Sequence, residues 1–128
     1  MKFTPQSISD VILIEPTVHG DERGYFMESF KQDVFENALG YKVNFIQDNE
    51  SKSTKGVLRG LHYQLPPYAQ AKLVRVVKGS VLDVAVDIRQ NSNTFGQYVS
   101  LVLSEENKKQ LFVPRGFAHG FIVLSKEA

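Results

Sequence analysis

The chain has 128 residues, 42% hydrophobic and 23% charged, so a single domain with one core is expected over residues 1–128. A net charge of +1 is too small for bulk attraction to nucleic acid or to an anionic membrane. The absence of Cys excludes disulfides, thiolate metal ligands and a Cys nucleophile; residues 1–10 carry no apolar signal region and no run is long enough to span a bilayer, so a cytoplasmic location is expected.

Short β-branched or aromatic runs separated by turn residues predict an all-β sandwich or barrel. The first predicted strand covers residues 11–15. One helix follows, with Ser29 as N-cap and Gln32 completing a capping box. Phe30, Val34, Phe35, Ala38 and Leu39 recur at helical spacing, and Gly40 supplies the stop. This helix is expected to lay its apolar stripe on the sheet. Further strands are predicted at 41–47, 57–63, 72–77, 80–87, 97–103, 109–113 and 117–124. Turn signals stand at Lys78-Gly79, Asn91-Ser92-Asn93 and Pro114-Arg115-Gly116.

If Lys78-Gly79 closes a two-residue hairpin, Val76 pairs with Val81, Val74 with Asp83 and Lys72 with Ala85. Lys72, Val74, Val76, Val81, Asp83 and Ala85 then share one face, a cation and a carboxylate among small apolar residues, as in a binding cavity. Leu73, Val77, Leu82, Val84 and Val86 share the other, with Arg75 the polar exception. A solvated salt bridge on an exposed face is the competing reading.

The densest polar run is Arg59-Gly60-Leu61-His62-Tyr63-Gln64. Strict alternation sends Arg59 and His62 to opposite faces; a bulge at Gly60 brings them together. A second run, Pro114-Arg115-Gly116-Phe117-Ala118-His119-Gly120-Phe121, places a His between aromatics, where a core imidazole bonded to backbone is the bland alternative.

Pro114-x-Gly116-x-x-His119 together with the upstream His62 resembles the two-motif signature of the cupin jelly roll. Metal cupins carry a second His and a Glu where this chain has Gln64 and Lys72. An ammonium with only two imidazoles is a poor cage for a divalent cation, so no metal is expected. The resemblance goes further. Asp21-Glu22-Arg23-Gly24-Tyr25-Phe26-Met27-Glu28-Ser29-Phe30, Gln47-Asp48-Asn49, Val57-Leu58-Arg59-Gly60-Leu61-His62-Tyr63-Gln64, Lys72-Leu73-Val74-Arg75 and Gly116-Phe117-Ala118-His119-Gly120-Phe121 are similar, in order, to the dTDP-4-dehydrorhamnose 3,5-epimerase family.

That resemblance implies a cupin jelly-roll β-barrel with one short helix, and proton abstraction alpha to the C4 ketone of dTDP-4-dehydro-6-deoxyglucose. His62 would be the general base and Lys72 the cation that stabilises the enolate oxygen. His119 and Lys72 would contact the sugar. Arg23 and Arg59 would bind the pyrophosphate side, and Glu28, Gln47, Asp48 and Asn49 the nucleoside. The chemistry involves no net redox, so no cofactor is expected, and the family implies a homodimer that exchanges N-terminal strands. Family members continue past the equivalent of Ala128 into a part carrying the acid Tyr and an Asp that orients the base His, so a C-terminally truncated epimerase is expected. The competing functions are a single-centre epimerase, a ketoisomerase, and a non-catalytic sugar-nucleotide-binding cupin.

Overall fold

The computed structural model describes residues 1–128. Ten strands and one helix form two four-stranded antiparallel sheets and a separate hairpin. The first sheet has the order β1 (Lys2–Pro5), β2 (Ile12–Glu15), β9 (Gln110–Val113), β6 (Lys72–Arg75). The second has the order β5 (Leu58–His62), β10 (Phe117–Val123), β7 (Ser80–Asp87), β8 (Tyr98–Ser104). The hairpin pairs β3 (Val18–Asp21) with β4 (Gly24–Met27). The expected jelly-roll sandwich is what forms.

The main core lies between the sheets and includes Val81, Ala85, Val99, Leu103, Leu111, Val113, Phe117 and Val123. Alternation explains it. On β7, Val81, Asp83, Ala85 and Asp87 are buried while Ser80, Leu82, Val84 and Val86 are only partly covered. Strand β9 is buried on both faces, because the second sheet covers Leu111 and Val113 while the helix covers Phe112.

Helix α1 (Gln32–Leu39) does pack its stripe on the sheet: Phe35 is buried against Ile12, Ile14, Val43 and Phe112. The aromatic rings of Phe3, Phe30, Phe45 and Phe112 surround Phe35 at centroid distances of 5.3 to 6.2 Å. Gly40 ends the helix in the left-handed conformation, as expected. The start differs from expectation. Lys31 occupies the N-cap without a side-chain cap; the Ser29 carbonyl instead accepts from Gln110 Nε2 at 2.8 Å, and Gln32 donates to Glu36 and to the Val43 carbonyl. Packing of Phe30 on Phe35 and Phe45 holds that residue outside the helix.

The chain departs from expectation at three further places. Residues 41–47 form no strand, because helix side chains take the place of a strand neighbour: Gln32 donates to the Val43 carbonyl and Glu36 accepts from the Val43 amide. Strands β1, β3 and β4 escaped the sequence reading. In β1 the ladder tolerates Pro5 because β1 is an edge strand. In β3–β4 a two-residue turn at Glu22-Arg23 follows a Gly-containing strand, and Asp21 accepts from the Arg23 amide at 2.9 Å. Finally, Lys78-Gly79 closes no hairpin. Strand β6 pairs with β9, and β7 pairs with β8 and β10, so the turn carries the chain from one sheet to the other. The shared face survives for a different reason: Val74 and Val76 meet Val81 and Ala85 across the sandwich rather than across a ladder.

Candidate active site

Strands β5, β10 and β7 lie side by side and place three polar side chains on the inner face. His119 is the ladder partner of Ala85 on β7 and of His62 on β5. Directly opposed residues share a face, so the two imidazoles stand next to each other. Asp83 lies two residues from Ala85 on the same face. Its carboxylate reaches His119, with Nε2 at 2.9 Å from each oxygen. Asp83 is fully buried and His119 nearly so, whereas His62 is exposed on the edge strand.

The expected bulge is present. Arg59 opposes Phe121 and His62 opposes His119, so Gly60 and Leu61 together oppose Gly120. Phe121 and His119 are two apart and share a face, so Arg59 and His62 do too. Both glycines are required by the close approach of the strands. A Cβ on Gly60 would stand 2.7 Å from the His119 carbonyl oxygen, and one on Gly120 would stand 2.6 Å from that of Arg59. Gly60 also has φ +110°, a conformation only glycine adopts readily.

Lys72 enters from the facing sheet. It is half-buried, and loss of water lowers its pKa from the usual lysine value while the Asp83 charge pulls the other way. Arg59 donates to Ser53 Oγ at 2.8 Å and to the Lys52 carbonyl at 3.2 Å. That segment is in turn tied to the C-terminal residues by paired backbone bonds between Ser53 and Ala128.

Strand pairing therefore puts His62, His119 and Arg59 on the inner face of the second sheet, and Lys72, paired with Val113, on the opposing inner face of the first. The other expected contacts lie apart from these within this chain. Arg23 projects at the tip of the β3–β4 hairpin, paired with Asp21 at 2.6 Å. Glu28 is exposed just after β4, and Gln47, Asp48 and Asn49 lie on an exposed segment where Gln47 donates to Asn49. Asp83 is the site residue absent from the sequence-based set; its place on the face shared with Lys72 was the available signal. A concavity of about 670 Å³ lies elsewhere, between Ser7–Asp10 and Arg89–Thr94. It is open, and Arg89, Ser92 and Thr94 there are committed to Asp87. No three His, Asp or Glu side chains converge as a metal site requires.

What the hollow can do is proton chemistry: an imidazole beside a second imidazole, a buried carboxylate, and a partly dehydrated ammonium. Comparison with known proteins agrees with this. A family model described as dTDP-4-dehydrorhamnose 3,5-epimerase matches residues 5–128. The chain is 67% identical over 128 residues to a Shigella flexneri dTDP-4-dehydrorhamnose 3,5-epimerase, covering 100% of this chain and 71% of that protein. It is 61% identical over 125 residues to the Escherichia coli K12 enzyme of that name, covering 98% and 68%. A solved Legionella pneumophila dTDP-6-deoxy-D-glucose-3,5-epimerase, in complex with dTDP-4-keto-L-rhamnose, superposes with a TM-score of 0.95 at 54% identity, covering 98% of this chain and 66% of that one. With the sheets superposing and most residues shared, the chain belongs to the dTDP-4-dehydrorhamnose 3,5-epimerase family.

Proposed function

We propose that this chain inverts C3 and C5 of dTDP-4-dehydro-6-deoxy-D-glucose to give dTDP-4-dehydro-L-rhamnose. A hydrogen on carbon next to a ketone is too weakly acidic for a neutral imidazole alone. His62 takes that proton as the C–H electron pair moves into the carbonyl and negative charge collects on the C4 oxygen. Lys72 meets that charge. An ammonium short of water is a stronger partner for an oxyanion than one in bulk solvent, which fits the lowered pKa of Lys72. As the enolate electron pair returns to the carbon, a proton from water adds to its opposite face and completes each inversion, and His62 gives up the abstracted proton to solvent.

The single observation carrying this reading is the side-by-side register of His62 and His119, with Lys72, paired to Val113, on the inner face of the opposing sheet. Arg59 serves the pyrophosphate. Arg23 joins it there, and Glu28, Gln47, Asp48 and Asn49 serve the nucleoside, once a second copy of the chain closes the site. A homodimer is supported by the exposure of all five residues of β5, which leaves the His62 side of the hollow open to water. No helix is long and apolar enough to cross a membrane, and we place the protein in the cytoplasm.

Incubation with dTDP-4-dehydro-6-deoxyglucose in D₂O, followed by NMR, tests the proposal. Deuterium at both C3 and C5 is expected, and its loss in His62→Asn and Lys72→Met. Deuterium at one carbon would make this a single-centre epimerase, and a migrated carbonyl a ketoisomerase. Binding of dTDP without any exchange would make it a non-catalytic sugar-nucleotide binder.

A further inference from the structure

The buried carboxylate of Asp83 has one neighbour that donates to it, and that neighbour supplies a single nitrogen. Both oxygens share Nε2 of His119 at 2.9 Å. Asp87, four residues on along the same face, takes five donors from Arg89, Ser92 and Thr94. A carboxylate has about four acceptor positions, so Asp83, fully buried, keeps acceptor capacity beyond the one nitrogen it receives. Lys72, paired with Val113 on the inner face of the opposing sheet, is the cation on the wall facing Asp83, with no hydrogen bond between the two, and the Asp83 charge acts to raise its pKa against the effect of burial. A fully paired Lys72 would be a poor partner for a developing oxyanion, and one with no carboxylate nearby would lose its proton more readily where burial strips it of water.

From this arrangement we propose, resting on the epimerase reading above, that Asp83 is a positioning residue of the site. Held by His119, its carboxylate lies near enough to keep the Lys72 ammonium charged and too engaged to capture it. The same bond commits Nε2 of His119, so Nδ1 is the only ring nitrogen His119 has for the sugar. His119 and Asp83 thus act through Lys72 as well as beside it.

Two substitutions should move Lys72 in opposite directions. The titratable and charged groups on the inner faces around it are Asp83 on β7, His119 on β10, and His62 and Arg59 on β5, the last held by Ser53 and the Lys52 carbonyl; Leu111, Phe112 and Val113 on β9 carry none. Asp83→Asn removes the negative charge, and the protonation midpoint of Lys72 falls. His119→Gln frees the carboxylate to pair with the ammonium, and the midpoint rises. Titration of the Lys72 side chain by ¹³C-edited NMR in the ligand-free protein reads both shifts, with the amide spectrum reporting that each variant is folded. A general loosening of the fold would move both variants the same way. Equal signs, or no movement in Asp83→Asn, would overturn the proposal. If Asp83→Asn fails to fold, His119→Gln alone decides: a midpoint that falls or stays refutes it.

With substrate, solvent exchange in Asp83→Asn should decline about tenfold for each pH unit above the lowered midpoint, because only the charged amine stabilises the enolate. Opposite shifts in a protein that catalyses no exchange would leave this wiring standing and remove the epimerase reading. Exchange with unshifted titrations would do the reverse.

Discussion

Gly120→Ala tests whether strand approach at the bulge sets the site. The added methyl group would lie 2.6 Å from the Arg59 carbonyl oxygen, 3.1 Å from a methyl of Leu61 and 3.2 Å from the Gly60 Cα. Two of these three contacts are with backbone, which cannot rotate away, so β5 must retreat from β10 by at least about 0.4 Å. Overpacking of this kind costs about 2 kcal/mol. For a chain of this size that lowers Tm by roughly 6–10 °C. The retreat also carries His62 away from His119, so solvent exchange into the substrate should fall about tenfold. Gly20→Ala is the control: its new Cβ would meet only the Gly24 carbonyl oxygen at 3.7 Å, and its stability should stay within about 0.5 kcal/mol of the parent. Thermal and urea unfolding of the two variants, followed by circular dichroism, gives the answer. Equal stability for Gly120→Ala and Gly20→Ala would refute the claim that β5 and β10 touch at the bulge.

Asp87→Ala strips a buried acceptor from five bonds that fasten the 89–94 loop to the end of β7, and should cost about 2–4 kcal/mol in urea unfolding. Phe35→Ala empties the centre of the aromatic cluster under the helix and should cost about 3–5 kcal/mol, with loss of near-ultraviolet dichroism. Glu127 pairs with Lys52 and Lys78, and those cations hold its pKa at about 2, below the usual value of 4.5. Its contribution is therefore complete above about pH 4.5 and disappears as pH falls through about 2. Hydrogen exchange at Ser53 and Lys55, whose amides bond to the C-terminal residues, should quicken over that window, and Glu127→Gln should remove the dependence.

Much of the site was legible before any coordinates. Proton chemistry demands an imidazole and a cation, and His62, His119 and Lys72 stood in runs whose order matched one family. The bulge could be anticipated because an isolated Gly60 inside a β-run has few other purposes. The two-residue alternation of β7 put Asp83 on the inner face whatever its neighbours turned out to be. Each of these rests on local chemistry or on a period built into the backbone, which is why sequence alone determined them.

Which strand lies beside which was decided only in three dimensions. Lys78-Gly79 has the local composition of a hairpin turn, yet β6 gains more by completing the first sheet beside β9 than by folding back on β7. Residues 41–47 have strand propensity but find their backbone partners in Gln32 and Glu36, so the segment stays irregular. The bond from Asp83 to His119 belongs to the same class, since it joins residues 36 apart that meet only because β7 and β10 are neighbours. Propensity acts over a few residues, whereas pairing and burial are settled by competition among every surface the chain can cover.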